Sequence, residues 1–257
     1  MSTPACHFVW HDLITPDAPA AARFYRGVMG WDAQDSGLDD RAYTILSAMG
    51  RPAAGLMALS AAMREREVRP GWNGYIGVDD VDAFAARVTR EGGTIHRAPE
   101  DIPGVGRFAV AADPHGARFM LFTGVSKDQA PEAPPGTPGH AGWHELHADT
   151  LDPAFAFYAG LFGWTKADSV DMGPMGIYQL FAAGGMLVGG MMAKTSAEPA
   201  ASWLYYFNVS GIEAAAARVV AGGGTLLNGP QPVPGGSWIV QCLDPQGIVF
   251  AMVSPPA

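Results

Sequence analysis

The sequence twice places a Trp, a His and a carboxylate side by side, as FVWHDL at 8–13 and AGWHEL at 141–146. A histidine next to a carboxylate is raw material for a metal site or an acid–base pair. On a strand, side chains two residues apart share a face, so Glu145 and His147 can bring their tips together. They could work as an acid–base couple or as two ligands of a metal. The first stretch offers Asp12, but Ile14 stands where His147 would be. A carboxylate on an apolar wall is costly unless it is paired, hydrogen-bonded or protonated. Such burial raises its pKa toward general-base work. Asp12 and Glu145 could equally bond local backbone and hold the wall's shape. By the same parity Trp10 shares a face with Asp12, and Trp143 with Glu145. His11 and His144 point the other way, as packing residues.

These strands belong to a repeat. WHDL at 10–13 recurs as WHEL at 143–146, and FYRGVMGW at 24–31 recurs as FYAGLFGW at 157–164, at one offset. VDDVDAFAARVTREGGT at 78–94 matches VSGIEAAAARVVAGGGT at 209–225, and DPHGARF at 113–119 matches DPQGIVF at 244–250, at an offset two residues shorter. The chain is therefore two homologous halves, 1–125 and 140–257. The Pro- and Gly-rich segment 126–139 between them has the composition of a solvated, stiff linker. Each half is doubled again, more faintly. Ala21, Phe24, Tyr25 and Val28 recur at helix spacing after Asp17, and Gly30 stops the helix. Val81, Phe84, Ala85 and Val88 form a second helical face ended by Gly92 and Gly93. YTILSA, AAGLMAL and YIGV read as strands, and FAVAADPHGARFMLF as two strands around an Asp-Pro-x-Gly turn. The pattern is strand, helix, then two or three strands, four times over.

With 257 residues and 48% apolar content, the chain can bury a good core. A net charge of −9 without a basic cluster argues against nucleic acid or an anionic membrane as partner. Cys6 and Cys242 alone make no disulfide framework, which fits a reducing cytoplasm. The opening MSTPACHFVWHDL has no basic segment leading into a long apolar run, so neither a signal peptide nor a membrane span is expected.

The "D…A..FY…GW" opening, the "V.D.....A..V...GG" second helix and the closing "DP.G..F" hairpin resemble the vicinal oxygen chelate superfamily. That group includes glyoxalase I, extradiol dioxygenases and bleomycin-resistance proteins. The two W.[DE]L openings and "DIP.VGRFAV.ADP.G" at 101–116 are most similar to its two-domain, glyoxalase-like actinobacterial antigens. The resemblance implies an α+β fold of tandem glyoxalase-like domains. Four βαβββ modules would form two half-open, cup-shaped sheets, with a small ligand in each cup. It also implies where metal ligands would stand. Trp10 and Trp143 fall at the opening-strand positions, Asn73 and Leu204 near those of the second modules, and Met120 and Ala251 at the closing positions. AAGLM and VGGMM offer no oxygen or nitrogen donor at the fourth. Trp, Leu and Ala donate nothing, and a thioether suits a hard ion poorly. No metal or other cofactor is therefore expected, a divalent ion relocated to Glu145 and His147 being the alternative.

The expected cup lining is aromatic and apolar with a few polar tips. Its candidate ligand contacts are Trp10, Trp143, Asn73, Tyr75, Tyr206, Asn208, Met120, Arg107 and Trp238, and its candidate catalytic groups are Asp12, Glu145 and His147. Each has an ordinary alternative. The Trp residues could simply fill the cup, the Tyr hydroxyls could be satisfied by backbone, and Phe24, Tyr25, Phe157 and Tyr158 read as helix-to-sheet packing. His115 reads as a solvated turn residue. MREREVRPG at 63–71 reads as a charged loop, or else a lid. Three functions follow: a metal-independent binder of a small aromatic or carbonyl-bearing molecule; a lyase, isomerase or dioxygenase centred on Glu145 and His147; or a non-catalytic interaction module. One chain carries all four modules, so a monomer suffices and a homodimer stays open. So does the pairing of Trp10 and Asp12 with Asn73 and Tyr75 of their own half or with Tyr206 and Asn208 of the other.

Overall fold

A computed structural model describes residues 6–38, 42–125, 133–196 and 198–256. The first seven residues of the expected linker, 126–132, lie outside them. The first module is β1 (Phe8–Thr15), α1 (Ala18–Met29), β2 (Asp32–Asp35), β3 (Tyr43–Ala48) and β4 (Arg51–Ala58). A short helix, α2 (Ala61–Glu65), leads to the second: β5 (Gly71–Gly77), α3 (Val81–Arg90), β6 (Thr94–Ile102), β7 (Gly106–Ala112) and β8 (Arg118–Gly124). The third is β9 (Ala141–Ala148), α4 (Leu151–Phe162), β10 (Thr165–Asp171), β11 (Ile177–Ala183) and β12 (Met186–Ala193). The fourth is β13 (Ser202–Asn208), α5 (Ile212–Ala221), β14 (Thr225–Pro232), β15 (Trp238–Leu243) and β16 (Val249–Ser254). The fold is α+β, four βαβββ modules in two open eight-stranded sheets. Among the described residues no helix is long and apolar enough to cross a membrane.

The strand orders are β2-β3-β4-β1-β5-β8-β7-β6 and β10-β11-β12-β9-β13-β16-β15-β14. β1 thus neighbours β5, and β9 neighbours β13, so each sheet joins two modules of one half. Within each module the first and last strands pair in parallel, with Asp12 opposite Gly55, Tyr75 opposite Met120, Glu145 opposite Gly190 and Tyr206 opposite Ala251. A parallel pair needs a long crossover, and the helix with its following strands supplies it.

The helices form where the apolar spacing predicts. Asp17 accepts from the Ala20 amide at 2.9 Å to start α1, and Gly30, at φ 73°, closes it in the left-handed conformation. Its buried residues are Ala21, Phe24, Tyr25 and Val28; those of α3 are Val81, Phe84, Ala85 and Val88. Two elements were not expected. β2 is the tetrapeptide DAQD, exposed throughout, and it pairs only at the sheet edge, where charge discourages further pairing. The charged stretch after Ser60 begins as α2, because the Ser60 hydroxyl accepts from the Met63 amide at 3.2 Å.

By contact the chain condenses into two units. One comprises the described residues of Met1–Val9, Gly74–Pro131 and His144–Trp203; the other, those of Trp10–Asn73, Glu132–Trp143 and Leu204–Ala257. The first packs α3 against α4, the second α1 against α5. Each is closed by the same hydrogen-bond relay. In the second unit Trp72 Nε1 donates to the Tyr25 hydroxyl at 3.1 Å, and Tyr25 donates to Asp244 Oδ2 at 3.3 Å. Asp244 Oδ1 accepts the amides of Gln246 and Ile248, both at 2.9 Å. In the first unit Trp203 donates to Tyr158 at 3.0 Å and Tyr158 to Asp113 Oδ2 at 3.3 Å, while the amides of His115 and Ala117 hold Oδ1 at 2.9 Å. The Phe-Tyr and Asp-Pro-x-Gly motifs, which read as packing and turns, are thus bonded to each other.

Tyr25→Phe deletes the proton Asp244 accepts and the oxygen Trp72 donates to. Its expected cost is about 1–3 kcal/mol, read as a lower urea midpoint with unchanged slope. Tyr158→Phe should cost a similar amount.

Candidate functional site

β1 puts Trp10 and Asp12 on one face. The Trp10 indole N–H is shared between Asp12 Oδ1 and the Tyr43 hydroxyl, at 2.8 Å each, and Tyr43 donates to Asp12 Oδ1 at 2.6 Å. Tyr43 comes from β3 and lies across β4 at a glycine. A Cβ on Gly55 would fall 1.9 Å from the Tyr43 oxygen and 2.2 Å from Asp12 Oδ1. Burial, and then the charge of Asp12, pushes the Tyr43 pKa up, so the phenol stays a donor. Asp12 is 2% exposed. This carboxylate is held by two fixed donors within its own module.

The second half repeats the device and extends it. Tyr178 of β11 donates to Glu145 Oε2 at 2.8 Å, passing over Gly190, where a Cβ would fall 2.2 Å from the ring. Glu145 Oε1 meets His147 Nε2 at 2.8 Å. His147 Nδ1 meets Glu198 Oε2 at 2.5 Å, and Glu198 Oε1 accepts the Thr195 amide at 2.9 Å and its hydroxyl at 3.0 Å. Tyr178, Glu145, His147 and Glu198 therefore form one continuous chain. Burial alone would lower the His147 pKa, but bonds and charge from Glu145 and Glu198 outweigh it and raise it to about 9. Burial pushes Glu198 up, but the Thr195 amide and His147 outweigh that and lower it. At neutral pH His147 is an imidazolium donating from both nitrogens.

The positions that resemblance assigns to a metal do not fit one. Trp10 and Trp143 offer indole N–H groups, Met120 a thioether and Ala251 a methyl, while Gly55 and Gly190 stand on the strands beside them. Of all the assigned positions only Asn73 brings an oxygen with a lone pair, and a single amide does not make a site for a hard ion. The relocated alternative gains a third polar group, Glu198, but the two carboxylates take opposite ring nitrogens of His147 and do not converge. Among the described residues no three or more His, Cys, Asp or Glu are grouped to hold a metal ion.

The other candidates are placed as follows. Tyr75 is buried against Phe122, ring centroids 6.1 Å apart, with Met120 opposite it in the register. Trp143 packs with Ile239 and Val253 on Leu204, Tyr206 and Ala251. Tyr206 accepts from Gln241 Nε2 at 2.8 Å. The amides of Asn73 and Asn208 donate to the Gly71 and His140 carbonyls at 3.1 and 3.0 Å. Trp238 is half-buried opposite Ser254. Arg107 is held by carboxylates: Nε donates to Asp82 at 2.6 Å and Nη1 to Asp101 at 2.9 Å. Its guanidinium braces a sheet edge. His11 packs edge-on against Tyr205 at 4.9 Å. His144 stacks on Phe8 at 4.2 Å and faces the Val188 carbonyl, and burial lowers its pKa to about 4. The turn residue His115 lies 3.9 Å from Asp149 rather than wholly in solvent.

Sequence reasoning missed Tyr43, Tyr178 and Glu198. The tyrosines carried a signal, a Tyr opening the third strand of both halves. Glu198 carried only a weak one, since the two offsets of the repeat place it at Glu65 or Glu67, inside a run of alternating charges.

A family profile described as "Glyoxalase/Bleomycin resistance protein/Dioxygenase superfamily" matches residues 7–121 and 138–252. The chain is 32% identical over 248 residues to the "Putative glyoxylase CFP32" of Mycobacterium tuberculosis, covering 96% of this chain and 94% of that protein. It is 32% identical over 259 residues to the "Anthracycline biosynthesis protein DnrV" of Streptomyces peucetius, covering 95% and 91%. The Mn(II)-bound glyoxalase from Novosphingobium aromaticivorans shares the fold at TM-score 0.67 and 18% identity, covering 100% of this chain and 84% of that one. The 2,3-dioxygenase LapB from Pseudomonas sp. KL28 does so at 0.69 and 13%, covering 100% and 94%.

The His147 charge makes stability depend on pH. Its pKa rises from 6.5 to about 9 on folding. The contribution is therefore full below 6.5 and lost as pH climbs through about 9. It is at most about 3 kcal/mol, less what solvent screens. Unfolding midpoints should fall between pH 6.5 and 9, and His147→Gln should flatten that fall.

Proposed function

The chain belongs to the Glyoxalase/Bleomycin resistance protein/Dioxygenase superfamily, and we propose that it binds a small aromatic or carbonyl-bearing molecule, without a divalent metal, at the β9 face that carries Glu145 and His147. One observation carries this reading: the Tyr178–Glu145–His147–Glu198 chain. Each ring nitrogen of His147 is already engaged by a carboxylate, so the two carboxylates and the ring do not converge on one point where an ion would sit. What this arrangement offers is a fixed polar edge, and such an edge orients a carbonyl or hydroxyl. Relatives named as a glyoxylase and for anthracycline biosynthesis agree with ligands of this kind.

The continuity of the chain supports a second reading, an acid–base lyase or isomerase. Glu145 would take a proton from one atom of the substrate and return it to another, with the Tyr178 hydroxyl and the His147 imidazolium holding the carboxylate in place.

Calorimetry on chelator-treated protein against a panel of aromatic and carbonyl compounds tests the first reading. The expected result is binding that added Mn, Zn, Ni or Fe does not strengthen. Trp143→Ala and His147→Gln should each weaken it about tenfold, 1.4 kcal/mol. Stoichiometric metal in protein purified without chelator, together with metal-dependent binding, would overturn it. Turnover of a bound compound that His147→Gln abolishes while binding persists selects the second reading.

A further inference from the structure

We propose that the groove between α1 and α5 is a second ligand site, on the helical layer, for a small organic anion with a flat apolar body. The groove is open, about 540 Å³, and lined by Ala20, Arg23, Phe24 and Gly27 from α1, Arg218, Ala221 and Gly222 at the end of α5, and Pro245 and Gln246 of the closing turn. That volume is within the ordinary range for small-molecule sites.

The internal repeat provides a control. In the other unit the matching positions on α4 are Pro153, Ala156, Phe157 and Gly160, and those of α3 are Arg87, Arg90 and Glu91. There Arg87 spans to the Gly160 carbonyl at 2.8 Å and lies 4.6 Å over the Phe84 ring. Arg90 and Glu91 stand where α5 has Ala221 and Gly222. Both helix pairs carry a crossing arginine, Arg87 and Arg218, but one adds Arg90 and Glu91 where its repeat carries Ala221 and Gly222. A Cβ on Gly222 would already lie 3.0 Å from the buried Phe24 ring, so the glycine lets α5 close onto α1 and form the floor of the groove.

Charge selects the ligand. Two guanidinium groups line the groove and no carboxylate does, on a chain of net charge −9. Arg218 is fixed by its Nε bond to the Val28 carbonyl at 2.9 Å, while Arg23 is exposed. The nearest acid in the turn, Asp244, aims both oxygens inward, at Tyr25 and at its own turn amides. Guanidinium groups recognise carboxylates through paired N–H donors and stack on flat π-systems. Ala20, Ala221 and Pro245, whose small apolar side chains line the groove, accept the apolar body.

The test uses 1-naphthoate and its neutral analogue 1-naphthamide, followed by NMR shift perturbation and calorimetry at low salt. Naphthoate should bind saturably, shifting amides of α1 and α5, and naphthamide at least tenfold more weakly. Arg23→Glu, and separately Ala221→Glu, should each weaken naphthoate at least tenfold. Both positions are exposed, and thermal melts check that the variants fold. His147→Gln should leave this affinity unchanged, which separates the groove from the β9 face. Absence of naphthoate binding, or affinity in Arg23→Glu and Ala221→Glu equal to that of the unmodified chain, overturns the proposal.

Discussion

Burying an aspartate is expensive, and Asp113 and Asp244 are both buried. Each survives because two amides of its own turn hold one oxygen and a tyrosine holds the other. Burial still leads, pushing both carboxyl pKa values up, with the amides and tyrosine pulling back. The tyrosine always comes from the opposite half of the sequence. The GW tryptophans follow the same rule: Trp31 donates to the Gly139 carbonyl at 2.8 Å, and Trp164 to that of Cys6 at 2.7 Å. Residues that mark the repeat are therefore the ones that commit each half to the other. A single half would leave a buried carboxylate short of a donor and a helix face without a neighbour.

The two halves keep one scaffold and diverge where chemistry is possible. In both, a carboxylate on the first strand faces a glycine on the last and takes a proton from a tyrosine lying across it. In the first half Trp10 adds a second donor and Asp12 is buried within its module. In the second, Ile14 has become His147, and a connecting segment supplies Glu198. One exchange on a strand face turns a neutral-donor cap into a charged chain.

Local order was legible in the sequence. The buried faces of α1 and α3 follow from 3.6-residue spacing, and the shared faces of Trp10 with Asp12 and of Glu145 with His147 follow from period two. β2 was not, because DAQD has no apolar signature and is held by its neighbour. The ion pairs of Arg107 were not legible for a related reason: its partners Asp82 and Asp101 are set by tertiary geometry. Glu198 lies 51 residues from His147, and the positions the repeat aligns it with, Glu65 and Glu67, sit among other charges that hide it. Periodicity finds faces; it does not find which loop closes over them.

The Tyr25–Asp244 bond joins residues 219 apart in the chain. A ribosome adds about 5–20 residues per second, so Tyr25 exists for on the order of ten seconds or more before its acceptor is made. Through that interval the apolar face of α1 has no α5 to cover it. Contacts of such long range also make folding slow, since loop closure precedes any return in binding. The N-terminal module is thus the part of the newborn chain most exposed to mispairing. The duplication that completes the fold also makes its first element the one that waits longest.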